Sequence, residues 1–187
     1  MSPPAGIPAI AFDQLAPDLA EALRPRYERL GYLGEFFQYA AHQPEALAGF
    51  VEFTEACSRG LESNLVQLIA LTVAGRLGNT YETNQHERLA VRRGHGRAWV
   101  AEVEKLDPDR ATLQPTEALV QRYVLGALSD VGHGTAAQVD ALAGALGPAG
   151  AMAVLLLTAR YLAHSLVVNS LELDPPVPSI WQDGFDV

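Results

Sequence analysis

Cysteine occurs once in this 187-residue chain, at Cys57. A single thiol excludes an internal disulfide and a dithiol redox pair, and it agrees with a reducing, cytoplasmic setting. Positive charge is scarce as well. Lys and Arg number 13 against 22 Asp and Glu, for a net charge of −9. So acidic a chain repels phosphate, which speaks against nucleic acid or an anionic membrane as a partner. The longest apolar stretches, around residues 65–74 and 152–157, fall short of the ~20 residues a membrane span needs. The opening MSPPAGIPAIAFDQLAP has no basic start and no continuous apolar run, so it does not read as a secretory signal. Period-2 alternation, internal repeats and a recognisable linker are missing too. Their absence leaves one all-α domain over residues 1–187 as the expectation.

About half of the residues are apolar, at 49%. That is ample to build a single core in a chain of this length. Residues 1–16 read as an irregular arm, with Pro3, Pro4 and Pro8 barring regular structure. Pro17 suits a first helical position, and Leu19, Leu23, Tyr27 and Leu30 follow at helical spacing, with Pro25 expected to kink or split the helix. Further helices are expected at EFFQYAAH, from Gln43-Pro44 to Gly60, over 97–106, and from Pro115 to about residue 128. The segment QVDALAGAL follows with Thr135 as its N-cap, and Gly147-Pro148 divides it from a last helix over 149–171. The total is seven to nine helices. The tail from residue 174 to 187 is proline-rich yet carries Ile180, Trp181 and Phe185, which are costly to leave in water. It is expected to dock on this subunit or a neighbour.

Residues 61–94 are the stretch around which the rest is organised. LESNLVQLIALTVAGRLG reads as a core helix, apolar on nearly every side but for Gln67. A buried amide must find partners or cost roughly 1–3 kcal/mol, so Gln67 either bonds a nearby backbone group or lines a site. NTYETNQHERLAVRRG then gives a second helix. Asn79 is a plausible N-cap and Glu82 sits at the capping-box position, a structural account of Glu82 that stands beside a chemical one. His86 follows Glu82 by four residues and shares its face. A carboxylate beside an imidazole orients it and favours its protonation, so the pair suits general acid/base work and equally suits a structural hydrogen bond. Of the other histidines, His42, His95 and His133 fall in turns or at a helix end and read as surface residues. His164 lies within the apolar RYLAHSLVV and needs a partner there, as a satisfied core or interface residue or as part of a pocket. Nothing fixes a third ligand for a metal, so none is expected. Cys57 reads as a small buried hydrophobe.

The order of apolar helix, short turn, Tyr81-Glu82-x-x-x-His86 and a helix closing at Gly94 resembles the core motif of the carboxymuconolactone decarboxylase family. That family includes the alkylhydroperoxidase AhpD-like proteins. HQPEALAGF is similar to the Pro-Glu helix that precedes the core in that family. The redox members use a Glu on the first helix, a Cys-x-x-Cys opening the second, and a His four residues after the second Cys. Those positions fall on Gln67, Asn79, Glu82 and His86, so only the histidine is kept and thiol peroxidase chemistry has no nucleophile. The resemblance is to the branch without the cysteine pair. It implies an AhpD-like helical domain and a cofactor-free lyase or decarboxylase for a carboxylated lactone or similar small organic acid. His86 would be the general acid/base oriented by Glu82, with Gln67, Asn79 and Tyr81 binding substrate. The alternative is a non-catalytic oligomeric or ligand-binding relative. The family also implies a homo-oligomer, a trimer or hexamer with a dimer possible. The apolar helices and the tail add their own reason for association, and removing residues after Asp174 is expected to weaken it.

Overall fold

A computed structural model describes residues 6–182 together with Gly184 and Phe185. Pro3 and Pro4 of the arm and the last residues of the tail lie outside this range. Among the described residues the chain is helical with no strand. Helix α1 spans Pro17–Leu30, α2 Glu35–Ala40, α3 Pro44–Arg59, α4 Ser63–Leu77, α5 Thr80–Arg92, α6 Gly96–Glu104, α7 Pro115–Ser129 and α8 Ala136–Ser170. Within the arm, Phe12–Gln14 form one 3-10 turn. Of the kink or split expected at Pro25, there is no split: α1 is one helix with Pro25 inside it. Gly147, at φ 73° and ψ 166°, divides α8 in two, where the Gly-Pro pair places the division.

Helix α4 is the hub, packed against α5, α6, α7 and α8. Every residue from Leu65 to Ala74 is buried, Gln67 and Thr72 included. Completely burying one Leu, Ile or Val is worth roughly 1.5–3 kcal/mol, so this helix anchors the main core. A second apolar cluster forms where α1, α2 and α3 meet Tyr81 and Val168. It includes Leu19, Leu23, Phe36, Leu47 and Val51. The two clusters adjoin along α5 and α8.

By length and composition α8 would suffice to cross a membrane. It is nonetheless divided at Gly147, and it buries Val154, Leu157, Arg160, Tyr161, His164 and Ser165 within the fold. Its other face stays open, with Met152, Leu156, Leu162, Leu166 and Val167 exposed.

One expectation about local structure is corrected, and for the tail the structure selects one of two. Thr135 stands at the head of α8, but its hydroxyl turns back to donate to the Gly132 carbonyl at 2.7 Å and does not cap the helix. The tail docks on its own subunit: Ile180 and Phe185 are buried in the main core, while Trp181 stays half exposed.

Candidate functional site

The turn between α4 and α5 sets the geometry. Gly78, in the left-handed region at φ 66°, ends α4, and the Asn79 N–H closes back on the Ala74 carbonyl at 2.9 Å. The Asn79 side chain then opens α5 by accepting from the Glu82 N–H at 3.1 Å, while its amide donates to Ser165 on α8 at 2.9 Å. One residue thus closes a helix, opens the next and ties both to α8. Only half of the expected capping box is present, because the Glu82 carboxylate is turned inward instead.

Glu82 keeps only 7% of its side-chain surface and is met from three directions. His86 Nε2 lies 3.3 Å from Oε2, Arg160 Nη1 lies 3.4 Å from the same oxygen, and His164 Nε2 lies 3.5 Å from Oε1. Burial opposes ionisation of Glu82, yet the His164, His86 and Arg160 side chains around it outweigh burial and hold its carboxyl well below the ordinary range. Burial depresses His164 to about 4, against the pull of Glu82, so at neutral pH His164 is uncharged and Arg160 is the standing counter-charge. Its Nδ1 is a buried atom without a hydrogen-bond partner among the described residues. The Phe36 ring lies 4.0 Å from the His164 ring, with Phe50 and Tyr81 farther out.

His86 is the most exposed member of the cluster, at 13% of its side chain. Its Nδ1 donates to Gln67 Oε1 at 2.8 Å, so Gln67 spends its carbonyl on the imidazole and not on the backbone. On the other side, Tyr161 Oη lies 3.3 Å from Nε2. Burial raises the Tyr161 phenol to about 12, which keeps it a hydroxyl donor at any ordinary pH.

The structure therefore brings together Gln67, Glu82, His86 and His164 from the residues singled out in the sequence, and it adds Arg160 and Tyr161. Arg160 also donates to Thr54 at 2.9 Å and stacks on the Phe50 and Tyr161 rings, which fixes the guanidinium. The sequence held a signal for Arg160. It stands four residues before His164 inside an otherwise apolar run, so the two share a face.

Asn79 and Tyr81 are placed differently. The Tyr81 hydroxyl accepts from the Phe36 N–H at 3.3 Å, and Asn79 and Tyr81 line a hollow of about 300 Å³ with Glu172 and Asp174. A second hollow of about 220 Å³ lies between Tyr32, Glu35 and Pro176. Neither hollow is lined by His86. Cys57 is buried, with its thiol pushed up by burial, and takes no part in the cluster. Of the remaining histidines, His42 and His133 are exposed. His95 is half-buried against Trp99 and pairs with Ser63. No group of His, Cys, Asp or Glu suited to a metal ion occurs among the described residues.

No family model and no curated protein matches this sequence. The fold does match a solved structure, described as an alkylhydroperoxidase AhpD core: an uncharacterized peroxidase-related protein from Ralstonia eutropha JMP134. The two agree with a TM-score of 0.78 over 90% of each chain at 16% identity. The chain has an AhpD-like helical fold.

Proposed function

We propose that the cluster around His86 is a cofactor-free acid/base centre for a small organic acid, of the kind that decarboxylates a carboxylated lactone or a related substrate. One observation carries this reading: His86 has a partner in either protonation state. Without a proton on Nε2, the Tyr161 hydroxyl donates to it; with one, the N–H faces the Glu82 carboxylate, each at 3.3 Å. Gln67 holds Nδ1 in both states. A group that gains or loses a proton without rearranging its neighbours is suited to general acid/base transfer.

In a decarboxylation the carbon–carbon bond to the carboxylate breaks, CO2 leaves, and the electron pair stays on carbon, spread into the adjacent carbonyl as an enolate. His86 then delivers its Nε2 proton to that carbon and recovers one from water. Glu82 steadies the imidazolium, and Arg160 keeps Glu82 ionised. The peroxidase-related name of the structural neighbour does not carry over, because Asn79 and Glu82 stand where the thiol pair of such chemistry would be needed.

Association of several copies belongs to the same proposal. The open apolar face of α8 is adjacent to Arg160 and His164 along the helix, so a second copy packed there would also screen the cluster from water. The small solvent exposure of His86 also favours a second reading, in which the cluster is a buried structural network in a non-catalytic ligand-binding protein.

A thermal-shift series with carboxylated lactones, keto acids and aromatic acids separates the two. The acid/base reading expects at least one acid to raise Tm by roughly 5–10 °C at about a hundredfold excess over Kd, and His86→Ala to abolish the shift while the protein still folds. Absence of any shift, with His86→Ala unfolded, favours the structural network.

A further inference from the structure

The segment after α8 returns across α5 and α6 and is held there by two carboxyl groups. Glu87 of α5, only 2% exposed, accepts from the Ser179 hydroxyl at 2.5 Å and from the Ile180 N–H at 2.8 Å, both through Oε2. Glu104 of α6 accepts from the Trp181 indole N–H at 2.9 Å through Oε2. Its other oxygen, Oε1, is buried and has no hydrogen-bond donor among the described residues. A buried carboxylate oxygen left without a donor is costly. The remedy is a proton on the carboxyl itself, which turns Glu104 from an acceptor without a donor into a donor toward Glu87.

We propose that Glu104 and Glu87 form a proton-operated latch that fastens residues 175–182 to α5 and α6. While Glu104 carries the proton, the two carboxyl groups share it and three consecutive tail residues, Ser179 to Trp181, are gripped. Once the proton leaves, two carboxylates face each other in a half-buried seam and the grip loosens. The other charged groups facing this segment are Arg88 on α5 and Arg97 on α6, with Glu35 on α2 and Asp174 lining a hollow beside Pro175 and Pro176 at its start. Arg88 donates to the Pro178 carbonyl at 2.6 Å, Arg97 donates to the Phe185 carbonyl, and both guanidinium groups lie over the Phe185 ring. Residues 175–182 contain no titratable side chain. Asn84 adds an uncharged tie to the Val177 carbonyl at 2.9 Å. Glu104 is thus the group through which pH acts on this seam. Burial and the neighbouring Glu87 raise it from the ordinary carboxyl range to about 7, although the Trp181 hydrogen bond pulls the other way.

The sign follows. A carboxyl group whose docked pKa is raised takes up protons on docking, so docking weakens as pH rises from about 4.5 to about 7 and levels off above. What the latch covers is apolar: Ile180 is fully buried and sits in the main core beside α5 and α6. Release would bare that seat at mildly alkaline pH, within the range cells and their compartments reach.

Amide hydrogen exchange on the full chain, with protection factors corrected for the intrinsic pH dependence of exchange, tests the latch. The peptide covering 175–182 is expected to lose protection by up to about tenfold between roughly pH 6 and pH 8, while peptides of α4 stay constant. Glu104→Gln supplies a permanent N–H toward Glu87 and keeps an acceptor for Trp181, so its tail should stay protected and flat with pH. A wild-type tail whose protection does not change over this range overturns the proposal. So does a Glu104→Gln tail that loosens with the wild-type profile.

Discussion

His86 Nδ1 lies 2.8 Å from the side-chain oxygen of Gln67, across the seam between the most buried helix of the fold and the helix that carries the candidate base. With an amide at Gln67, the imidazole is oriented by a neutral group, and its carboxylate partner is Glu82. The site is therefore organised around one buried carboxylate and its cation, and that pairing is open to direct measurement.

Removing the Glu82 carboxylate strands the Arg160 guanidinium, which keeps only 7% of its side-chain surface. Truncating one member of a buried pair costs about 3–5 kcal/mol, whereas replacing both by apolar groups of similar size costs far less. We predict that Glu82→Leu and Arg160→Met each destabilise by that order in urea unfolding, and that the double variant is less destabilised than the sum of the two. Additive effects would mean that the two side chains do not act as a pair.

The layout of the fold was largely legible in the sequence, and the site only in part. Pro17, Pro44 and Pro115 at helix starts, and Gly78 and Gly147 at breaks, carry their conformational consequences wherever they occur, so element order followed from local chemistry. Glu82 and His86 were legible because four-residue spacing on a helix fixes a shared face. Tyr161 was not, and Arg160 showed only its shared face with His164, because both reach Glu82 and His86 from a helix more than seventy positions away and no local pattern encodes such convergence. Asn79 read as a capping residue, and it is one. What could not be read was that its amide is also engaged by Ser165, which leaves little of it for a substrate. The tail carried the right apolar residues, but which surface they cover is decided by Glu87, a residue with no visible signal in its own neighbourhood.

His164 gives the cluster a pH signature. Its folded-state pKa is depressed to about 4 from the model-peptide value of 6.5, so the unfolded chain binds the extra proton first as pH falls. Stability contributed by the neutral buried imidazole is therefore intact above about pH 6.5 and is lost as pH falls toward about 4, by up to about 3 kcal/mol. Urea unfolding of wild type and His164→Phe across this interval isolates the effect from other titrations. The variant should lose less stability on acidification than the wild type; equal losses would remove His164 from the account.

Association is expected through the exposed face of α8. The tail, which could have reached across to a partner, covers its own subunit, so its removal after Asp174 should first destabilise the fold. Leu156 and Leu166, at 40% and 68% exposure, remain in the open stripe and are the residues to test. Light scattering at roughly micromolar concentration should give a dimer or larger for the wild type, and Leu166→Glu should weaken association at least about tenfold. A wild-type protein that is monomeric under these conditions contradicts the prediction.

The central claim is that His86 moves protons to and from carbon. The most direct test is deuterium incorporation, followed by NMR, at the carbon next to the carbonyl of small keto acids and lactones incubated with the protein in D2O. The reading predicts exchange above the buffer background for at least one acid that binds, its loss in His86→Gln, and partial retention in Glu82→Gln, a drop of roughly 10²–10⁴-fold being typical for a lost general acid/base. Exchange that persists unchanged in His86→Gln, or no exchange with any acid that binds the folded protein, would contradict it.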